Sequence, residues 1–155
     1  MSQPQEPWPR PKPSPGPYSG TPLPRKLGIK PGHAVAVLGA PPGFADGLAA
    51  LSGVDVAEDL PSEGLLDVIV TFVRWREELE TQLPGLRRRM APACGLWIAW
   101  PKRAAKVPTD MTEHVMREIA LPTGLVDNKV CAIDEVWTGM RLVIRRELRQ
   151  AAPDG

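Results

Sequence analysis

The chain has little of what marks a specialised surface. Two cysteines, Cys94 and Cys131, in 155 residues exclude a disulfide framework and a four-thiol zinc centre. An excess of charge is missing too: 19 Lys and Arg stand against 18 Asp and Glu, a net +1. The long-range pull of a dedicated nucleic-acid binder is therefore absent, and no nucleic-acid partner is expected. No run of 18 apolar residues occurs, so no membrane-spanning helix is expected. The first 20 residues hold no apolar stretch of the signal-peptide kind. These absences together predict a cytoplasmic, reduced chain. Aromatic residues are sparse at 5%, but five of them are Trp, against two Phe and one Tyr.

Proline is abundant and unevenly placed. Ten of the 19 prolines fall in the first 31 residues, and positions 7, 9, 11, 13, 15 and 17 are all Pro. Alternating Pro removes backbone donors and favours extended chain. Residues 1–24 are expected to be a disordered tail, in which Trp8 and Tyr18 could serve docking to an aromatic groove. The folded domain is expected over 25–148, with a short polar tail over 149–155.

Within that domain, apolar runs alternate with helical spacing. After a turn at Lys30-Pro31-Gly32, the Val-rich stretch from His33 to Leu38 predicts a strand buried on both faces. Phe44, Leu48 and Leu51 predict a short helix ending near Gly53, and residues 54–57 a weaker strand. Residues 65–73 form the strongest strand pattern. Trp75, Leu79, Leu83, Leu86 and Met90 then recur at steps of four and three, one stripe of a helix of about 15 residues. Pro84 is expected to kink or re-start it. Pro92 to Gly95 predicts a turn that exposes Cys94, and Leu96 to Trp100 predicts a buried strand. Asp110 with Glu113 resembles a capping box for a helix whose buried side carries Met111, Val115 and Ile119. Residues 129–134 and 141–145 predict a final hairpin with Gly139 in its turn, and Cys131 in the core. Alternating strands and helices predict an α/β fold with a mainly parallel sheet covered on both faces and a C-terminal antiparallel hairpin.

In such sheets ligands bind beyond the C-terminal strand ends, where the strand order reverses. Those ends carry Gly39-Ala-Pro-Pro-Gly43, Glu58-Asp59, Arg74-Trp75 and Trp100-Pro-Lys-Arg103, which are expected to converge on one crevice. The first loop is the natural cofactor loop, with Gly39, Ala40 and Gly43 as candidate contacts. It reads GxxxG rather than GxGxxG, and Pro41 and Pro42 delete two N–H donors that a pyrophosphate needs. NAD, FAD and ATP are therefore not expected there. Glu58 or Asp59, about 20 residues past Gly39, suits hydrogen bonds from ribose hydroxyls. Trp75 and Trp100 could pack on a ligand; Trp97 and Trp100, three apart in a strand, face opposite sides. Lys102, Arg103 and Lys106 make the densest positive loop, an anion site if the helix start at Asp110 adds its amides. Asp127-Asn128, followed by Asp134-Glu135, make a dense polar feature; Asp127 and Asn128 suit a turn into the strand, or a polar pair flanking the hairpin could line the crevice. His33 and His114 lack partners at metal spacing, so no metal is expected. No Gly-x-Ser-x-Gly elbow surrounds Ser52 or Ser62, which argues against covalent hydrolysis.

Several segments resemble a family of small bacterial proteins classed as a domain of unknown function. These are Tyr18-Ser-Gly-Thr-Pro-Leu-Pro24, Lys26 to Gly32, Trp100-Pro-Lys102, Pro108 to Glu113, Leu125 to Asp134 and Trp137-Thr-Gly-Met-Arg141. The resemblance covers residues 18 to about 146. The order of elements is similar to the second half of class I methyltransferase folds. This implies a three-layer, Rossmann-like, truncated methyltransferase skeleton, and S-adenosylmethionine as the cofactor such folds take. It transfers no catalytic residue. The expected function is a non-catalytic Rossmann-like module that binds a small molecule or a protein partner in regulation or assembly. A minimal S-adenosylmethionine-dependent methyltransferase is one alternative; an adaptor acting through the Pro-rich tail is another.

Overall fold

The computed structural model describes residues 23–49 and 54–151. The Pro-rich tail up to residue 22, with Trp8 and Tyr18, and the helix stop near Gly53 lie outside the described residues.

Six strands form one sheet: β1 (Ala34–Leu38), β2 (Asp55–Ala57), β3 (Leu66–Phe72), β4 (Met90–Pro101), β5 (Leu125–Ala132) and β6 (Trp137–Ile144). Their order is β2-β1-β3-β4-β6-β5. β2, β1, β3 and β4 run parallel, and β6 is antiparallel to both β4 and β5. This is the mainly parallel α/β sheet with a terminal hairpin that the alternation of elements predicts.

The central strands are mostly apolar because both faces are covered, with Asp67 and Thr71 the polar exceptions in β3. Ile69, Leu96, Ile98 and Trp100 fall in one core cluster, while Val68, Val70, Phe72, Trp97 and Ala99 fall in the other. The period of two therefore sends Trp97 and Trp100 to opposite faces, as their spacing requires. Helices α3 (Arg76–Arg88) and α4 (Glu113–Ala120) supply Leu79, Leu83, Leu86, Met116 and Ala120 to the first cluster. The short helices α1 (Leu23–Lys26) and α2 (Phe44–Ala49) lie along the chain that feeds Leu27, Ile29 and Leu48 to the second. Thr71 is the one buried polar side chain among the described residues; its hydroxyl donates to Gln82 Oε1 at 2.9 Å. A fifth helix, α5 (Arg146–Ala151), continues past residue 148, where the sequence suggests a polar tail.

Four local expectations are corrected. Pro84 does not divide its helix: α3 runs through it, held by the fully buried Leu79, Leu83 and Leu86. Pro92 to Gly95 is strand rather than turn, because β4 begins at Met90 and reaches Leu66 of β3 through an irregular register. Cys94 is accordingly buried, not exposed. Burial, reinforced by the Asp67 carboxylate, pushes its thiol up to about 12, so it stays protonated and unreactive. Gly139 lies inside β6 opposite Ala99, where Ile133 and Trp97 leave no room for a Cβ; the hairpin turn is earlier, with the Asp134 carboxylate accepting from the Val136 and Trp137 N–H groups. Asp127 is in β5 rather than in a turn, and pairs with Arg117 at 3.2 Å; the guanidinium holds its carboxyl below the ordinary range.

No helix among the described residues is long and apolar enough to cross a membrane.

Candidate functional site

The chain leaves β1 to build β2 on one side, then returns to build β3 on the other. Between β1 and β3 the winding reverses, so their C-terminal ends open a crevice. Gly39 follows β1 directly. Its φ is +66°, and a Cβ there would lie 3.1 Å from the Phe72 carbonyl oxygen at the end of β3. Only glycine lets the two strand ends come this close while the chain turns outward. Phe72 in turn makes edge-to-face contacts with Phe44 and Trp137, with ring centres 4.9 and 5.0 Å away, which fixes the floor beneath the turn.

A cavity of about 260 Å³ lies on this loop. It takes Gly39, Ala40, Pro41, Pro42 and Gly43 from the end of β1, and Glu58 from the end of β2. Three candidate backbone contacts and one candidate carboxylate, separated by about 20 residues of sequence, thus meet around one space. Asp59, the neighbour of Glu58, is exposed and does not line it.

A second cavity, about 600 Å³, opens at the C-terminal end of β4. Trp100, Lys102 and Arg103 line it, together with Lys106. One strand, β3, separates β1 from β4, and the two cavities share no lining residue. Thr138 also lines this cavity, and sequence reasoning misses it. It pairs with Trp100 across the β4–β6 register, a neighbour that only the antiparallel pairing creates.

The β3 tip lies between them and is closed by hydrogen bonds. The Glu78 carboxylate accepts from the Arg74 and Trp75 N–H groups at 2.7 and 3.1 Å. The Asp110 carboxylate accepts from the Arg76 N–H at 2.7 Å, and the Thr109 hydroxyl donates to the Arg74 carbonyl at 2.6 Å. Asp110 is therefore a cap, but for α3 and not for its own helix. Thr112 caps α4 by accepting from Val115 N–H. Asp110 lines neither cavity, although its neighbours Thr109 and Met111 line the larger one. Trp75, expected on the buried stripe of α3, instead precedes the helix; it is 41% exposed beside the Arg74 guanidinium and lines neither cavity. Loss of a capping carboxylate costs about 1 kcal/mol. Asp110→Ala is expected to lower unfolding stability by about that amount in urea titration while leaving ligand affinity at Glu58 unchanged.

No family model matches the chain, and no curated protein matches it. Solved structures do. An S-adenosylmethionine-dependent methyltransferase from Aquifex aeolicus superposes with a TM-score of 0.56 at 17% identity, over 77% of this chain and 87% of that one. A ribosomal protein L11 methylase from Lactobacillus delbrueckii subsp. bulgaricus gives 0.55 at 11% identity, over 80% and 75%. A magnesium protoporphyrin IX methyltransferase from Synechocystis PCC 6803 with bound S-adenosylmethionine gives 0.54 at 12% identity, over 74% and 71%. At these identities the likeness is one of fold: the chain has the Rossmann-like α/β architecture of the methyltransferases.

Proposed function

We propose that the chain binds S-adenosylmethionine in the cavity between the ends of β1 and β2 and acts as a minimal methyltransferase. The observation that carries this reading is the meeting of Gly39, Ala40 and Gly43 with Glu58 around one cavity beside the reversal of strand order. The methyltransferase-type fold supports it.

The residues fit that ligand better than they fit a dinucleotide. A cavity of about 260 Å³ lies below the roughly 300–1,000 Å³ of whole-ligand pockets, so it suits the nucleoside part, with the remainder reaching along the crevice. The Glu58 carboxylate is exposed at the rim, where it accepts hydrogen bonds from ribose hydroxyls. The Gly39 and Gly43 backbone leaves the approach free of side chains. Pro41 and Pro42 offer no N–H, which disfavours a phosphate and leaves a phosphate-free nucleoside unaffected. When bound, S-adenosylmethionine supplies an electrophilic methyl group.

A second reading, a module that holds this nucleoside without transferring the methyl group, is favoured by one observation. The carboxylates at the β3 tip, Glu78 and Asp110, both accept from backbone N–H groups, a structural use in capping α3, and neither lines the nucleoside cavity.

Both readings require binding. S-adenosylhomocysteine at about 100 times its Kd is expected to stabilise the chain by roughly 2.7 kcal/mol, several degrees in Tm. Glu58→Ala is expected to weaken calorimetric affinity about 10- to 100-fold, the value of hydrogen bonds to a charged acceptor. Absence of a thermal shift at millimolar ligand, or full affinity in Glu58→Ala, contradicts the proposal. Methyl transfer from labelled S-adenosylmethionine then separates the two readings.

A further inference from the structure

The larger cavity has a chemistry of its own. Its volume, about 600 Å³, is enough to enclose a whole small molecule. Its floor is apolar: Trp100 and Met111, almost fully buried in one core cluster, line it, and so does Val107, which packs against the other cluster. Its rim is cationic. Lys102, Arg103 and Lys106 all line it, and among the described residues no ion pair or side-chain hydrogen bond engages any of the three. The one carboxylate on the lining, Glu113, is already paired with Arg117 at 3.3 Å. Three cations thus share one opening with a single lining carboxylate that is already paired, an excess of positive charge that favours an anion. Lys106 has a positive φ, 59°, because it closes the single turn at Arg103–Ala105, its N–H donating to the Arg103 carbonyl at 3.1 Å.

We propose that this cavity binds a small molecule with an apolar body and one anionic group, a carboxylate or a phosphate, and that Lys102, Arg103 and Lys106 hold the anion. Arg103 offers a planar fork of donors, and the two lysines offer point charges. The apolar body lies over Trp100 and Met111. As the site of a methyl acceptor this rests on the nucleoside reading above; as a ligand site it does not.

The test is calorimetric titration of the full chain with benzoate, phenyl phosphate and the uncharged benzamide at low salt. At least one anion is expected to bind about tenfold tighter than benzamide, because charge-assisted contacts exceed neutral ones by that much. Whichever anion wins identifies the group. The combined variant Lys102→Gln, Arg103→Gln, Lys106→Gln is expected to lose about tenfold in affinity for it. Should that variant not fold, Lys106→Gln alone and a rise to about 0.5 M salt with the unaltered chain are each expected to weaken binding severalfold. Equal affinity for benzamide, no heat from either anion at millimolar concentration, or affinity indifferent to both salt and substitution overturns the proposal. S-adenosylhomocysteine is titrated separately into the unaltered chain. Its failure to bind removes the nucleoside reading and leaves the anion result standing.

Discussion

Gly39→Val is expected to destabilise the chain by about 2–5 kcal/mol and to abolish nucleoside binding. A side chain in the left-handed region costs roughly 1–2 kcal/mol, and the new Cβ meets the Phe72 carbonyl at 3.1 Å, a crowding worth about 1–3 kcal/mol more. Relief can come only from separating the ends of β1 and β3, the two strands between which the crevice opens. Gly43→Val is the matched control. Its φ is +84°, but nothing lies within 4 Å of its Cβ position, so it is expected to cost only the conformational part, about 1–2 kcal/mol. Urea unfolding of the two variants reads the difference. Equal losses would mean that the close approach of β1 to β3 does not shape the site.

Trp97→Ala is expected to cost about 4–8 kcal/mol, a large part of the 5–15 kcal/mol that holds a domain of this size together. Removing a fully buried Trp costs roughly 3–5 kcal/mol through lost transfer energy and the cavity left behind. A further 1–3 kcal/mol comes from the Leu27 carbonyl, which accepts from the indole N–H at 3.0 Å and would be orphaned. That bond spans 70 residues and ties the segment after α1 to the centre of the sheet. A Tm drop of more than about 10 °C is the expected readout. Trp75→Ala is the contrast. That ring is 41% exposed beside Arg74, so the change is expected to stay within about 1 kcal/mol. A loss below about 1 kcal/mol for Trp97→Ala would contradict the packing described.

What the sequence reveals and what it hides follow from the same physics. β1, β3 and the C-terminal half of β4 are legible because burial on both faces writes a mostly apolar run. The start of β4 is hidden because Pro92 and Gly95 carry the composition of a turn, while the pairing of Met90 with Leu66 is a long-range event that composition does not encode. The stripe of α3 is legible from Leu79 onward. Trp75 fits its spacing but precedes the helix, since helical periodicity does not say where the first turn begins. Asp110 is recognisable as a cap, but its partner, 34 residues earlier, is not. Gly39, Ala40, Gly43 and Glu58 are legible as candidates because a fold rule places strand ends together. That they share a space separate from Trp100, Lys102 and Arg103 is a matter of strand order, which no local pattern contains.

The most direct measurement is an amide chemical-shift map of the isotopically labelled chain titrated with S-adenosylhomocysteine. Saturable shifts centred on Gly39, Ala40, Gly43 and Glu58, with β5 and the outer face of α4 unmoved, are the predicted result. An unchanged spectrum at millimolar ligand, or shifts centred anywhere other than the ends of β1 and β2, would contradict the assignment of that crevice to a methyl-donor nucleoside.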